Sequence, residues 1–286
     1  MERLGQVKER IASITELQGI VGAMRSLAAV HLRQAQQSLP GIREYSSVIA
    51  AAVADALILS AAPPRARPPA EPARPMLIVF SAEHGFGGAF ADRLLDRASE
   101  LVAQRNARLY IAGTRGARLA AERGLDVDDT TPMASHLGGV QAAARRVTAA
   151  LYRFVSTGAV SRASMLYAAC RTGAQFVLHE QALFPLDPAA LPAGAERVTP
   201  THYLPAPALV EKLTTEYLLA QLLEAATESF ASENAARLRT MTAAHDNVKK
   251  KLEDLIAQER RLRQEAITTE LIDVVTGAEA LKSESI

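Results

Sequence analysis

The run SAEHGFGGAF, Ser81 to Phe90, holds the residues best suited to chemistry: Gly85, Gly87 and Gly88, set between an apolar run and a helical pattern. There, a glycine-rich turn can bring backbone amides against the pyrophosphate of a dinucleotide. Two features argue against that use. Phe90 stands where the third glycine of G-x-G-x-x-G belongs, and no Asp or Glu follows the next strand-like run, RLYIAG, to hold a ribose. The glycines are therefore read as structural, and no cofactor is expected. The histidines His31, His84, His136, His179, His202 and His245 show no metal-ligand spacing. His245 reads instead as a packed residue of a helix seam. Cys170 is the only cysteine, which excludes an intrachain disulfide, and it reads as a small buried hydrophobe. Neither a P-loop nor a Ser-His-Asp arrangement appears, so no catalytic or metal-binding residue is expected.

Charge narrows the function classes further. The 286 residues carry 32 Lys and Arg against 31 Asp and Glu, a net charge of +1, which argues against a polyelectrolyte that grips nucleic acid by its phosphates. Lys249 with Glu253, Lys250 with Asp254, Glu259 with Arg263 and Arg261 with Glu265 sit four apart, a pattern worth only a few tenths of a kcal/mol per pair. They form a solvated face or, with Lys249 to Lys251, Arg260, Arg261 and Arg263, a basic band suited to acidic loops on a neighbouring subunit. No run approaches the roughly 18 consecutive apolar residues of a membrane span. The opening MERLGQVKERIASI lacks the apolar core of a signal peptide and the acid-poor bias of a transit peptide, so the mature chain is expected to begin here.

The elements that must position these residues fall into zones. From Leu4 to Leu59 a helix is expected, with a seam at Leu4, Val7, Ile11, Ile14, Gln18, Val21, Arg25, Ala28, Leu32, Ala35, Leu39 and Ile42, stepping by three and four. Pro40 and Gly41 interrupt that pattern, predicting a kink or break between Gln37 and Ile42. Residues 61–75 carry too many prolines for helix or central strand and read as an extended linker. Residues 76–205 change period: MLIVF, RLYIAG, ASMLYAA and AQFVLHE alternate with helical segments, implying an α/β domain with a mostly parallel sheet. The last two runs are too close for a crossover helix, which points to an antiparallel hairpin. From residue 206 helix returns, with a second seam at Leu238, Met241, His245, Val248, Leu252, Leu255, Glu259, Leu262 and Ala266.

A C-terminal helix of roughly 74 residues would run about 110 Å and needs a partner along its length. The N-terminal helix supplies one, because the chain leaves along it, builds a domain and returns, so the two must run antiparallel. Closing a loop of some 150 residues costs about 4 kcal/mol, which two or three buried seam pairs offset. The second helix is longer by some 15 to 20 residues, so roughly 20 to 30 Å of it should overhang. In that overhang Ile267, Leu271, Ile272, Val274, Val275, Ala278 and Leu281 spread too broadly for one stripe, which predicts a socket formed by other chains.

The opening LGQVKERIASITELQGIVGAMRSLAAVHLRQAQ, the segment VFSAEHGFGGAFADRLL and the close ASENAARLRTMTAAHDNVKKKLEDLIAQERRLRQEAITTELIDVVTGAEAL resemble the gamma subunit of F-type ATP synthases, in the right order and over nearly the whole chain. The resemblance implies a Rossmann-like domain inserted between two long terminal helices that form an antiparallel coiled coil. That coiled coil would be the shaft turning inside a ring of three alpha and three beta subunits, with the domain seated on the epsilon subunit and the membrane ring of c subunits. It implies partner contacts at Met24 and Arg25 beside the beta subunit's lever loop, at Arg263 and Gln264 with its catch loops, and at Thr268, Leu271, Val275, Gly277 and Ala278 in an apolar sleeve. It also implies a peripheral place on the cytoplasmic face of a bacterial plasma membrane, no nucleic-acid partner, and no ATP hydrolysis by the chain itself. The residues depart from the family pattern at four places, one of them Pro40-Gly41 inside the N-terminal helix. LQGIVGAM, with Gly19 and Gly22, stands where the family has a stretch like TQKITKAM; EHGFGG replaces DRGLCGG; and the linker is unusually rich in proline. A divergent bacterial subtype is therefore expected. The alternative from another class is a non-rotary scaffold whose globular head projects a two-helix stalk.

Overall fold

A computed structural model describes residues 2–59, 73–171, 176–192 and 202–283, with the side chains of the last helix described as far as Thr276. The expected linker at residues 61–75 falls, up to residue 72, outside the described residues. The chain divides into two compact units, one of Met1–Leu27 with Thr240–Ile286 and one of Ala28–Arg239. Neither boundary lies at the linker; both cut through the long helices α1 (Glu2–Leu59) and α5 (Ala206–Ser283).

The larger unit is built on a five-stranded sheet in the order β3-β2-β1-β4-β5. β1 (Arg74–Phe80) pairs in parallel with β2 (Arg108–Ala112) and with β4 (Val160–Cys170), while β2 pairs in parallel with β3 (Asp129–Thr131). β5 (Phe176–Phe184) runs antiparallel to β4, the hairpin expected from their spacing. The run MLIVF in β1 is buried on both faces, which is why it reads as continuous rather than alternating. Met76, Ile78 and Phe80 face one layer, with Val140, Ala143 and Val147 of α4 (Val140–Ser156) and Leu222, Ala226 and Phe230 of α5. Leu77 and Val79 face the other, with Leu94, Leu95 and Leu101 of α2 (Phe90–Arg105) and Ala120 of α3 (Thr114–Glu122). β3 escaped the sequence reading because Asp-Thr-Thr is polar and too short to show a period.

α1 and α5 run antiparallel in this unit. The His31 ring lies 5.7 Å from that of Phe230, Arg43 pairs with Glu224 and Glu228, and the Tyr45 hydroxyl donates to Glu216, so numbers rise along one helix as they fall along the other. α1 corrects the expected break, because it continues as one helix from Glu2 to Leu59 with Pro40 inside it. Pro40 and Gly41 are exposed, as is Gln36, whose carbonyl loses its donor to the proline, while Ala35 and Leu39 are buried, so the lost bond lies among exposed residues.

Gly113, between β2 and α3, adopts φ +129°, and a Cβ there would stand 2.6 Å from the Ser81 carbonyl oxygen. Glycine alone fits this close approach of two chain segments. Gly113→Ala is expected to lower the stability of the chain by about 2 kcal/mol or more, as strain of this kind costs 1–3 kcal/mol even without a clash. Thermal or urea unfolding of the two proteins measures it.

Candidate functional site

In open α/β sheets the ligand crevice lies at the carboxyl ends of the strands, where the strand order reverses. Here that point falls between β1 and β4, and α5 occupies it. Every residue from Ala225 to Arg237 is buried, so the helix is wrapped on all sides as it crosses the end of the sheet. Its polar side chains are tied to the strand ends. The Ser229 hydroxyl donates to the Phe80 carbonyl at 2.6 Å, and the Ser232 hydroxyl to the Ala168 carbonyl at 2.9 Å. The Glu233 carboxylate accepts from the amides of Glu83 and His84, both at 3.3 Å, and pairs with Arg237. Arg237 in turn donates to the Gly85 carbonyl at 3.3 Å and to Asn234 Oδ1 at 3.1 Å.

The glycine turn thus has an internal ligand. Two of its amides point at a carboxylate of the same chain, and its Gly85 carbonyl is taken by an arginine. Of the three glycines read as structural, Gly88 has positive φ, at 56°, whereas a Cβ at Gly85 would meet nothing and one at Gly87 would make only ordinary contact. Phe86, exposed and at φ 66°, is the residue held against its preference.

Glu83 ties the turn to two neighbours. Its carboxylate accepts from the Thr114 amide at 3.0 Å, the Thr114 hydroxyl at 2.8 Å and the Met133 amide at 2.7 Å. Partial burial pushes the carboxyl up, but these hydrogen bonds outweigh it and hold the group below its ordinary value. For Glu233 burial pushes the carboxyl up against the pull of Arg237 and the two amides. Cys170 is half-buried, and burial raises its thiol, so it rests as the uncharged form.

The smaller unit presents the other candidate. Glu9, Arg10, Ser13 and Ile14 of α1 line a groove with Lys251 and Leu255 of α5, which fixes the pairing of the two helices there. The seam residues of α1 read from the sequence are all buried or half-buried, and so are those of α5. Met24 and Arg25 are half-buried; His245 packs in the seam with its Nδ1 3.6 Å from Asp246. Beyond Ala266 the burial stops. Every described side chain from Ile267 to Thr276 is exposed, among them Ile267, Leu271, Ile272, Val274 and Val275, with Leu271 61% and Val275 56% accessible.

Arg263 pairs with the buried Glu259, Gln264 is exposed, and the Thr268 hydroxyl donates to the Gln264 carbonyl at 2.9 Å. Gly277 and Ala278 lie in the helical backbone, but their side chains are outside the described residues. Among the described residues no helix is long and apolar enough to cross a membrane, and no group of His, Cys, Asp and Glu is placed to hold a metal ion. Sequence reasoning missed Ser229, Ser232, Glu233 and Arg237. Their signal was the crowd of small residues around them, Ala225, Ala226, Ala231, Ala235 and Ala236, which mark a helix approached closely on every side.

A family model described as ATP synthase matches residues 3–281. The ATP synthase gamma chain of Cytophaga hutchinsonii is 29% identical, covering 99% of this chain and 100% of that protein, and that of Chlorobaculum tepidum is 27% identical with the same coverage. Among solved structures, a chain of the Euglena gracilis mitochondrial ATP synthase (OSCP/F1/c-ring, rotational state 3) aligns with TM-score 0.64 at 15% identity, covering 99% of this chain and 96% of that one. A chain of the Tetrahymena thermophila central stalk and c-ring aligns with TM-score 0.56 at 18% identity, covering 79% and 99%. These last two show the fold.

The hydrogen bonds of Glu83 set a pH dependence. A folded value below the ordinary 4.5 means that its stabilisation is fully present above that pH and is lost as pH falls through the folded value. Glu83→Gln is expected to be less stable at neutral pH and to lose less stability than the wild type as the pH is lowered from 4.5, read from urea unfolding midpoints across that window.

Proposed function

Because this chain belongs to the ATP synthase family over residues 3–281, we propose that it is the gamma chain, the central rotor shaft that couples ion flow through a membrane ring to nucleotide chemistry in a surrounding hexamer. One observation carries the mechanical part of this reading. The seam of the smaller unit is covered as far as Ala266, and the apolar residues continue past the point where cover ends. An exposed apolar surface of this kind marks an interaction site. An apolar sleeve of alpha and beta subunits suits Leu271 and Val275, and the exposed Arg263 and Gln264 just below suit polar loops at its mouth.

The chain supplies asymmetry rather than catalysis. Three otherwise equivalent beta subunits meet different faces of a two-helix shaft, so their nucleotide sites are biased to different affinities, and rotation exchanges those roles in order. Coupling of this kind requires differential contacts in each state, which a shaft with unlike sides provides. The larger unit, whose crevice is filled by α5, suits a foot on the epsilon subunit and the c-ring, placing the chain at the membrane through its complex. The non-rotary scaffold is less favoured, because relatives matched along their full length are ATP synthase gamma chains.

Truncation after Leu262 tests the reading. Co-purification of the full chain with alpha and beta subunits is expected at one copy per three of each, and the truncated chain is expected to lose coupled ion transport by about tenfold or more. Intact assembly and intact coupling after truncation would sink it.

A further inference from the structure

If the chain is a shaft, its torque must pass between the α/β domain and α5, and two kinds of contact join them. The hydrophobic effect is non-directional, and apolar packing fixes the rotation of a helix about its own axis only where its side chains interdigitate with their neighbours. On α5 this packing surface is mostly shallow where it crosses the sheet, since Ala225, Ala226, Ala231, Ala235 and Ala236 are small and Phe230 is the one large apolar side chain of the buried span. Hydrogen bonds are directional, weakening steeply with angle, and they resist rotation.

Four such tethers leave the buried span: Ser229 to the end of β1, Ser232 to β4, Glu233 to the amides at 83 and 84, and Arg237 to the Gly85 carbonyl. All four residues are at most 9% accessible, so water cannot replace their partners. At about 100° per residue, Ser232 and Arg237 lie about 140° apart around the helix, with Ser229 and Glu233 between them. Glu228, about 140° from Glu233 on the opposite side, is tied to Arg43 of α1. Turning α5 either way breaks bonds on one flank before it relieves the other.

We propose that Ser229, Ser232, Glu233 and Arg237 form a torsional lock that sets the angular position of α5 against the sheet and carries torque between them. This rests on the shaft reading, and its residues are positioning residues with no contact to nucleotide. The lock also accounts for why a carboxylate and a guanidinium are kept inside an alanine-rich helix, where apolar residues of similar volume would pack as well.

The test uses the complete complex with the hexamer fixed to a surface and a bead tethered to exposed α2, reading the variance of the bead's angle during a catalytic pause. Glu233→Gln and the double variant Ser229→Ala with Ser232→Ala are each expected to raise that variance at least twofold, with ATP hydrolysis by the hexamer within twofold of wild type. Leu222→Ala, which opens a cavity in the same core without touching a tether, should lower the melting temperature comparably yet leave the variance unchanged. Should Glu233→Gln fail to assemble, the serine pair, which alters no charge, decides the question. Wild-type variance in the tether variants, or an equal rise in Leu222→Ala, would overturn the lock alone. A wild-type complex that does not rotate would overturn the shaft reading and the lock together.

Discussion

A helix buried on every side from Ala225 to Arg237 is the constraint on which the larger unit depends. Such a helix has no solvated face on which to place polar residues, so each one it carries must find a partner inside the protein. Ser229, Ser232, Glu233 and Arg237 find theirs on the ends of β1 and β4 and on the turn after β1. The sheet and the helix therefore cannot be separated into a domain with a helix laid beside it. α5 is the closing element of the crevice, and the compact unit extends along both long helices rather than ending at the sheet.

The same arrangement explains how a nucleotide-like turn coexists with a mechanical role. Backbone amides at the end of a central strand favour an anion, whatever its source. In this chain the anion is the Glu233 carboxylate, delivered by a helix from the far end of the sequence and balanced by Arg237. The turn thus binds the chain's own helix to the sheet. Glu83, three residues past the end of β1, uses its side chain in the same way toward α3 and the segment after β3.

α5 meets three different environments. From Ala225 to Arg237 its neighbours surround it, and in the smaller unit only one side is covered, by α1, until that cover too ends at Ala266. Side-chain chemistry follows the change. Small residues dominate where cover is complete, a three-and-four seam appears where it is one-sided, and broadly distributed Ile, Leu and Val follow where the chain supplies none. A gradient of this kind along one helix makes sense if the last environment is provided by other subunits.

Periodicity made the two helices, their seams and their antiparallel return legible from sequence, because heptad-like spacing and chain direction are local properties that need no knowledge of the rest of the fold. The strand runs were legible for the same reason, with β3 lost only for want of length. The break expected at Pro40 is absent, since the cost of a proline depends on whether its orphaned carbonyl can reach water, and that is decided by which side of α1 is covered. The contents of the crevice were out of reach altogether. The amides at 83 and 84 are 150 and 149 residues from Glu233 in the chain, and no local pattern says that an isolated carboxylate in an alanine-rich helix will meet them. Only the tertiary structure, by passing one end of the chain across the far end of the sheet, decided what the glycine turn is for.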